Sequence, residues 1–256
     1  NMRKQFAQEL GILVPPLHIR DNLELDPGAY RLQLKGTTIG MARLEPGRLM
    51  AINPGAVDAP IDGIATTDPA FGLPALWIQE ADRHRAEAAG FTVVDLETVV
   101  TTHLSEVLRQ EAAELFGWQA LEERLEELRP RLGGLIDHLI PERITQGTML
   151  ELLRGLLREG ISIRDLDTIL EALASCADAK ASSHELLEQV RERMARQISA
   201  RLAGPDGVLR AALLERDLEE RLRQCTVTQR GAPVLACDLT TAQSLFGVIE
   251  EALGAF

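Results

Sequence analysis

The chain has 256 residues, 45% of them hydrophobic and 26% charged, which is enough apolar side chain for a buried core and too much for a disordered segment. Thirty-nine acidic residues against 27 basic ones give a net charge of −12, and aromatics make up only 4%, so a polyanion is repelled and finds few rings to stack on. Nucleic acid is therefore excluded as a partner, and because no apolar run approaches the roughly 18 residues that span a bilayer, the expectation is a soluble chain of cytoplasmic type. Asn1 to Leu13 carries Arg3, Lys4 and Glu9 and does not read as a signal peptide.

The first third reads as short strands between turns: Tyr30 to Lys35, Thr37 to Leu44 and Leu49 to Asn53, punctuated by Asp26-Pro27-Gly28, Glu45-Pro46-Gly47 and Asn53-Pro54-Gly55. Together they predict one small antiparallel sheet. A loop over Ala56 to Gly72 then leads to a strand at Pro74 to Ile78, a short helix at Glu80 to Ala89 and a buried strand at Phe91 to Val94, a βαβ pattern. From Glu97 the period becomes helical, with one apolar stripe through Val100, Leu104, Val107, Leu108, Ala112 and Leu115 that Gly117 ends. Five further helices are predicted at Gln119 to Leu128, Leu132 to Ile140, Thr148 to Arg158, Ile163 to Ala174 and His184 to Leu202. Ser162 with Asp165 resembles a capping box, and Gly160 stops the preceding helix. The last segment returns to a mixed pattern: strand candidates at Val208 to Leu214 and Pro233 to Cys237, a helix over Asp217 to Arg223, and a final helix capped by Thr240 with Gln243.

The residues offer little chemistry. His18, His84, His103, His138 and His184 never pair at a ligand spacing, and no phosphate loop or dinucleotide fingerprint occurs, so neither metal nor cofactor is expected. Cys176, Cys225 and Cys237 are odd in number and widely spaced, which reads as thiols in a reducing compartment. Thr101, Thr102 and Ser105 flank His103, but side chains one or two apart on a helix do not face each other, so His103 reads as a helix-face histidine. The acidic stretch Glu122, Glu123, Glu126 and Glu127, interleaved with arginines, reads as a solvated helix face. The exception is Asp68-Pro69-Ala70-Phe71-Gly72-Leu73-Pro74-Ala75-Leu76-Trp77-Ile78, which sets a phenylalanine and a carboxylate in a Pro/Gly-bounded loop ahead of a strand. Phe71 is open to two readings there, a lid folded onto the core or an exposed anchor.

These strings carry a resemblance. His18-Ile19-Arg20-Asp21-Asn22-Leu23, Ala51-Ile52-Asn53-Pro54-Gly55, the Asp68 loop, Phe91-Thr92-Val93-Val94, Val99-Val100-Thr101-Thr102-His103-Leu104, Glu114-Leu115-Phe116-Gly117, Leu156 to Leu166 and Thr168-Ile169-Leu170-Glu171 resemble the cytoplasmic domain of the flagellar type III export-gate (FlhA) family. The likeness runs from about Val14 to Ile198, and the virulence-type secretion gates share the architecture. It implies an α+β, multi-subdomain fold. A linker over 1–13 precedes a split α/β subdomain at 14–46 and 96–115, which surrounds an inserted α/β subdomain at 47–95. A helical subdomain follows at 116–195 and an α/β subdomain, shortened relative to the family, at 196–256.

The resemblance further implies a non-enzymatic platform on the cytoplasmic side of the bacterial inner membrane, anchored by a transmembrane half outside this sequence and assembled into a homo-oligomeric ring, nonameric in the family. Its implied partners are export chaperone–substrate complexes, whose cargo is passed to the export channel, and other export-apparatus proteins. The family's chaperone-docking pocket carries over onto Asp68, Phe71 and Thr102, with Phe71 as the apolar anchor and the other two at its rim. The alternatives are a virulence-type gate of the same architecture and, from another class, a hydrolase using a serine or threonine beside His103, against which the lack of a nucleophile elbow argues.

Overall fold

A computed structural model describes residues 2–55, 57, 61–176, 181–211, 213–229 and 232–254. The fold is mixed helix and sheet, of α+β class. The chain opens with α1 (Met2–Glu9), in the stretch expected as a linker, and divides into two compact units, residues 1–6 with 13–115 and residues 7–12 with 116–256.

In the first unit a hairpin pairs β1 (Ala29–Leu34) with β2 (Thr37–Arg43). Lys35 and Gly36 both have positive φ, 51° and 85°, the geometry of a two-residue turn whose twist matches that of the strands it joins. The expected three-stranded sheet does not form. The third strand, β3 (Leu49–Ile52), is almost wholly buried and instead lies inside a four-stranded sheet of order β4 (Ile64–Thr67), β5 (Pro74–Ile78), β3, β6 (Thr92–Val94). A strand apolar on both sides needs cover on both faces, which a two-stranded hairpin lacks. β4 falls within the segment expected to be loop, of which residues 56 and 58–60 lie outside the described residues. β5 and β6 both run antiparallel to β3, so the strand–helix–strand unit straddles β3 and its two strands are not neighbours.

Alternation along the strands gives this sheet two apolar faces. Leu49, Ala51 and Ile78 pack with Phe91 and with Ala86 of α2 (Arg83–Ala88), which follows a 3₁₀ turn at Glu80–Asp82. Met50, Ala75 and Trp77 pack with Val99 of α3 (Leu96–Gln110) on the other face. Fully burying a side chain such as Ile78 or Met50 contributes about 1.5–3 kcal/mol. The short α4 (Ala112–Leu115) ends this unit, so the single predicted helix from Glu97 breaks near Glu111.

The second unit is mainly helical. α5 (Trp118–Leu139) merges two expected helices across a kink, where Pro130 removes a backbone donor and Leu132 leaves helical geometry (φ −122°, ψ 17°). α6 (Gln146–Arg158) buries Met149, Leu150, Leu152, Leu153, Leu156 and Leu157, and Gly160, at φ +66°, stands just past its end. α7 (Leu166–Cys176) begins three residues later than expected. The long helix expected over His184 to Leu202 is broken at Met194 into α8 (Ser183–Arg193) and α9 (Ala195–Leu202). Beyond it, α10 (Arg216–Cys225) precedes a hairpin of β7 (Thr226–Gln229) with β8 (Ala232–Leu235), then α11 (Leu239–Gly254). Val208 to Leu214 is no strand among its described residues, because nothing pairs with it and Val208, Leu209, Leu213 and Leu214 are exposed. Asp238, not Thr240, caps α11, accepting from Thr241 N–H at 3.0 Å and Thr241 Oγ1 at 2.7 Å.

Candidate functional site

Thr67 and Pro74 form the last pair between β4 and β5, leaving Asp68 to Leu73 as the loop. Its backbone closes on itself: Asp68 N–H donates to Leu73 O at 2.8 Å and Gly72 N–H to Asp68 O at 2.9 Å. The Asp68 carboxylate adds a third tie, Oδ2 accepting from Phe71 N–H at 2.8 Å. Gly72 turns the chain at φ +71°, a region that favours glycine. The product is a rigid display in which Phe71 is 61% exposed, so of its two readings the core lid is set aside. Asp68 itself is only 3% exposed, its carboxylate directed at the loop's own backbone rather than lying open at a rim.

Thr102 is reached through α3. Asp95 caps that helix, accepting from Thr98 N–H at 2.7 Å, and Val99, His103, Val107 and Leu108 form its buried face. Thr102, half-buried, stands at the edge of that face beside His103. Gly40 lets β2 approach, since a Cβ there would lie 3.1 Å from Val107 Cγ2 and 3.2 Å from His103 Nε2.

His103 joins residues far apart in sequence. Its Nδ1 is 2.7 Å from Tyr30 Oη, with the rings edge to face at 5.7 Å. Burial lowers the His103 pKa, opposed by attraction of the imidazolium to the Asp68 carboxylate. Burial, and secondarily the same carboxylate, pushes Tyr30 up to about 12. Tyr30 and His103 are in direct contact, and the charge of Asp68 acts on both. The hydroxyls near His103 in sequence belong to the helix backbone: Ser105 Oγ donates to Thr101 O at 2.7 Å, and Thr101 Oγ1 to Glu97 O at 2.8 Å. A nucleophile–base pair on His103 finds no geometry in these bonds.

Other candidates stay structural. Among the described residues no three His, Cys, Asp or Glu side chains gather to hold a metal, and no helix is long and apolar enough to cross a membrane. Cys225 and Cys237 are free thiols, and the side chain of Cys176 lies outside the described residues. Glu126 and Glu127 pair with Arg129 and Arg124 at 2.9 and 2.8 Å on an exposed helix face, where such pairs contribute little.

The chain combines a four-stranded sheet packed against helices with a mainly helical unit, the fold of export-gate cytoplasmic domains. The whole chain, residues 1–256, matches the FHIPEP family, and it belongs to that family. It is 40% identical over 256 residues, all of this chain and 37% of the relative, to the flagellar biosynthesis protein FlhA of Escherichia coli K12. It is 43% identical over 224 residues, 88% of this chain and 32% of the relative, to FlhA of Yersinia enterocolitica. The chain thus spans about a third of the length of these relatives. The solved CdsV protein of Chlamydia pneumoniae superposes with a TM-score of 0.82 at 25% identity, covering 98% of this chain and 72% of that one. The nonameric SctV-C of EPEC does so at 0.77 and 21% identity, over 98% and 76%, a likeness of fold.

Proposed function

We propose that this chain is a docking platform of a flagellar type III protein export gate, which receives export chaperones with their cargo at Phe71 and passes the cargo to the export channel. The observation that carries the reading is an exposed phenylalanine on a loop whose backbone is tied at three points, because a rigid apolar side chain presented to water binds a partner at low ordering cost. In this reading Thr102 supplies a hydroxyl from α3, and Asp68 acts through the backbone of the loop. The relatives at about 40% identity are named for flagellar biosynthesis, which favours the flagellar branch over the virulence-type gate.

The same reading holds that the chain acts without catalysis, that it faces the cytoplasm beneath the bacterial inner membrane with a transmembrane half outside this sequence, and that copies form a ring. The nonameric state of SctV-C and a solved CdsV complex with CdsO support ring assembly and partners within the export apparatus. The four-part division at 14–46 with 96–115, 47–95, 116–195 and 196–256 belongs to the reading too.

Calorimetric titration of a cargo-loaded flagellar export chaperone into this chain and into Phe71→Ala tests it. An anchor of this kind contributes about 2 kcal/mol or more, a weakening of about thirtyfold in Kd. Equal binding by both proteins, with the variant folded by circular dichroism, overturns the assignment of Phe71.

A further inference from the structure

Cys225 and Cys237 stand at the two ends of the β7–β8 hairpin. Cys225 is the last residue of α10, and Cys237 directly precedes Asp238, the cap of α11. The hairpin closes on the pair Thr226 with Leu235, and one step beyond it Ala236 N–H donates to Cys225 O at 2.6 Å. Opposed residues in such a ladder have Cα atoms about 5 Å apart and the chain rises about 3.4 Å per residue, which sets the Cα atoms of Cys225 and Cys237 about 6 Å apart. A disulfide spans about 4.4–6.8 Å between Cα atoms. The thiols themselves meet, since a side-chain hydrogen bond joins Cys237 to Cys225. We propose that Cys225 and Cys237 are a reversible oxidation site, at which a low-molecular-weight disulfide such as oxidised glutathione closes the pair into a bond that ties the end of α10 to the start of α11.

The chemistry is thiol–disulfide exchange. The Cys225 thiolate attacks one sulfur of the small disulfide and releases one small thiolate; Cys237, once deprotonated, attacks Cys225 Sγ and releases the second. Two electrons pass from the cysteine pair to the small disulfide, and the two thiol protons go to the two released thiolates. Burial first, and then its neighbour Cys225, pushes the Cys237 thiol up, so Cys237 stays protonated longer and serves as the resolving thiol. An excess of small thiol runs both steps backward. The consequence follows from how little else holds this segment. Beyond residue 200 Leu245 alone, among the described residues, is a buried apolar side chain, while Val227, Leu239 and Phe246 are exposed. β7 and β8 form a two-stranded sheet, which is marginal in water without further cover. Where burial contributes so little, closing a loop of about a dozen residues does proportionally more to order the helix–hairpin–helix segment. The site is a property of this chain alone and does not depend on the docking role of Phe71.

Equilibration of the whole chain in glutathione buffers of graded redox ratio, followed by acid quench, alkylation and peptide mass mapping, tests the site. The expected product is a Cys225–Cys237 crosslinked peptide within one chain, reversed by dithiothreitol. With total glutathione at about 0.1 mM, a millimolar effective concentration of the neighbouring thiol favours the closed form over the mixed disulfides about tenfold. In Cys237→Ala, Cys225 is expected to stop at the mixed disulfide with glutathione. Amide hydrogen exchange reads the consequence: protection of the Ala236 N–H, which donates to Cys225 O, is expected to rise about tenfold on oxidation of the native chain and to stay unchanged in Cys237→Ala treated alike. Glutathione left on Cys225 or Cys237 as the end product, disulfides between copies instead of within one chain, or a closed pair with unchanged Ala236 protection overturns the inference.

Discussion

At the scale of the residue, the two members of the loop have opposite exposures and hence different work. Phe71 is exposed to solvent and Asp68 is not, so on the docking role proposed above a substitution of Asp68 acts through the loop. Asp68→Ala is expected to weaken chaperone binding by about 1.5–3 kcal/mol, the range for a hydrogen bond to a charged group, with Asp68→Asn in between because it keeps a carbonyl acceptor. Calorimetry on both variants checks this order. Tyr30 is the only tyrosine, so phenolate absorbance in an alkaline titration reports it alone, with a midpoint expected at about 12 in the folded chain and near 10 after denaturation. A folded pKa raised above the unfolded one means that this contribution to stability is complete below pH 10 and is lost as pH climbs from 10 toward 12. For His103 the sign reverses. Its folded pKa is lowered, so its contribution is present above the unfolded value of 6.5 and is lost as pH falls below it.

At the scale of the element, helix starts show where local pattern and tertiary contact part company. Ser162 and Asp165 have capping spacing, but Ile163 N–H donates to Leu10 O at 3.0 Å, holding the chain out of the helix at that point. Asp165 becomes the cap instead: its carboxylate accepts from Thr168 Oγ1 at 2.8 Å and, more weakly, Thr168 N–H at 3.4 Å, and it also takes Gln197 Nε2 at 2.8 Å. Asp165→Ala is therefore expected to cost about 1–2 kcal/mol in denaturant unfolding, and Ser162→Ala much less. The reverse ranking would return the cap to Ser162. Helix existence, by contrast, is legible from Glu80 onward, since apolar residues at helical spacing can be buried only on one face, whereas the helix at Met2–Glu9 falls in the stretch expected as a linker.

At the scale of the whole molecule, a net charge of −12 acts against any assembly of identical copies. Self-association is accordingly expected to strengthen as salt is raised from low ionic strength to about 0.15 M, where the screening length falls to about 8 Å. Sedimentation velocity across that range checks it, and association that weakens with salt would point to interfaces built on opposite charges. The two compact units share a chain but differ in character, one sheet-centred and one mainly helical, and the Phe71 loop lies wholly in the first.

Composition, turn residues and apolar period by themselves determined the class: an α+β chain with short strands, a helical stretch, no metal or phosphate signature, and a Pro/Gly-bounded loop that carries Phe71, whose exposure only the tertiary structure decided. These are local properties, each decided within a few residues. Strand partnership was not legible, because β3 reads like its neighbours in sequence, and only the need to cover both of its faces sends it into the larger sheet. The support of the site was equally hidden. Tyr30 and His103 are 73 positions apart, and no spacing rule links a lone tyrosine on a strand to a histidine on a later helix. Tertiary structure alone brings them together, because a buried imidazole is tolerable only where it finds a hydrogen-bond partner.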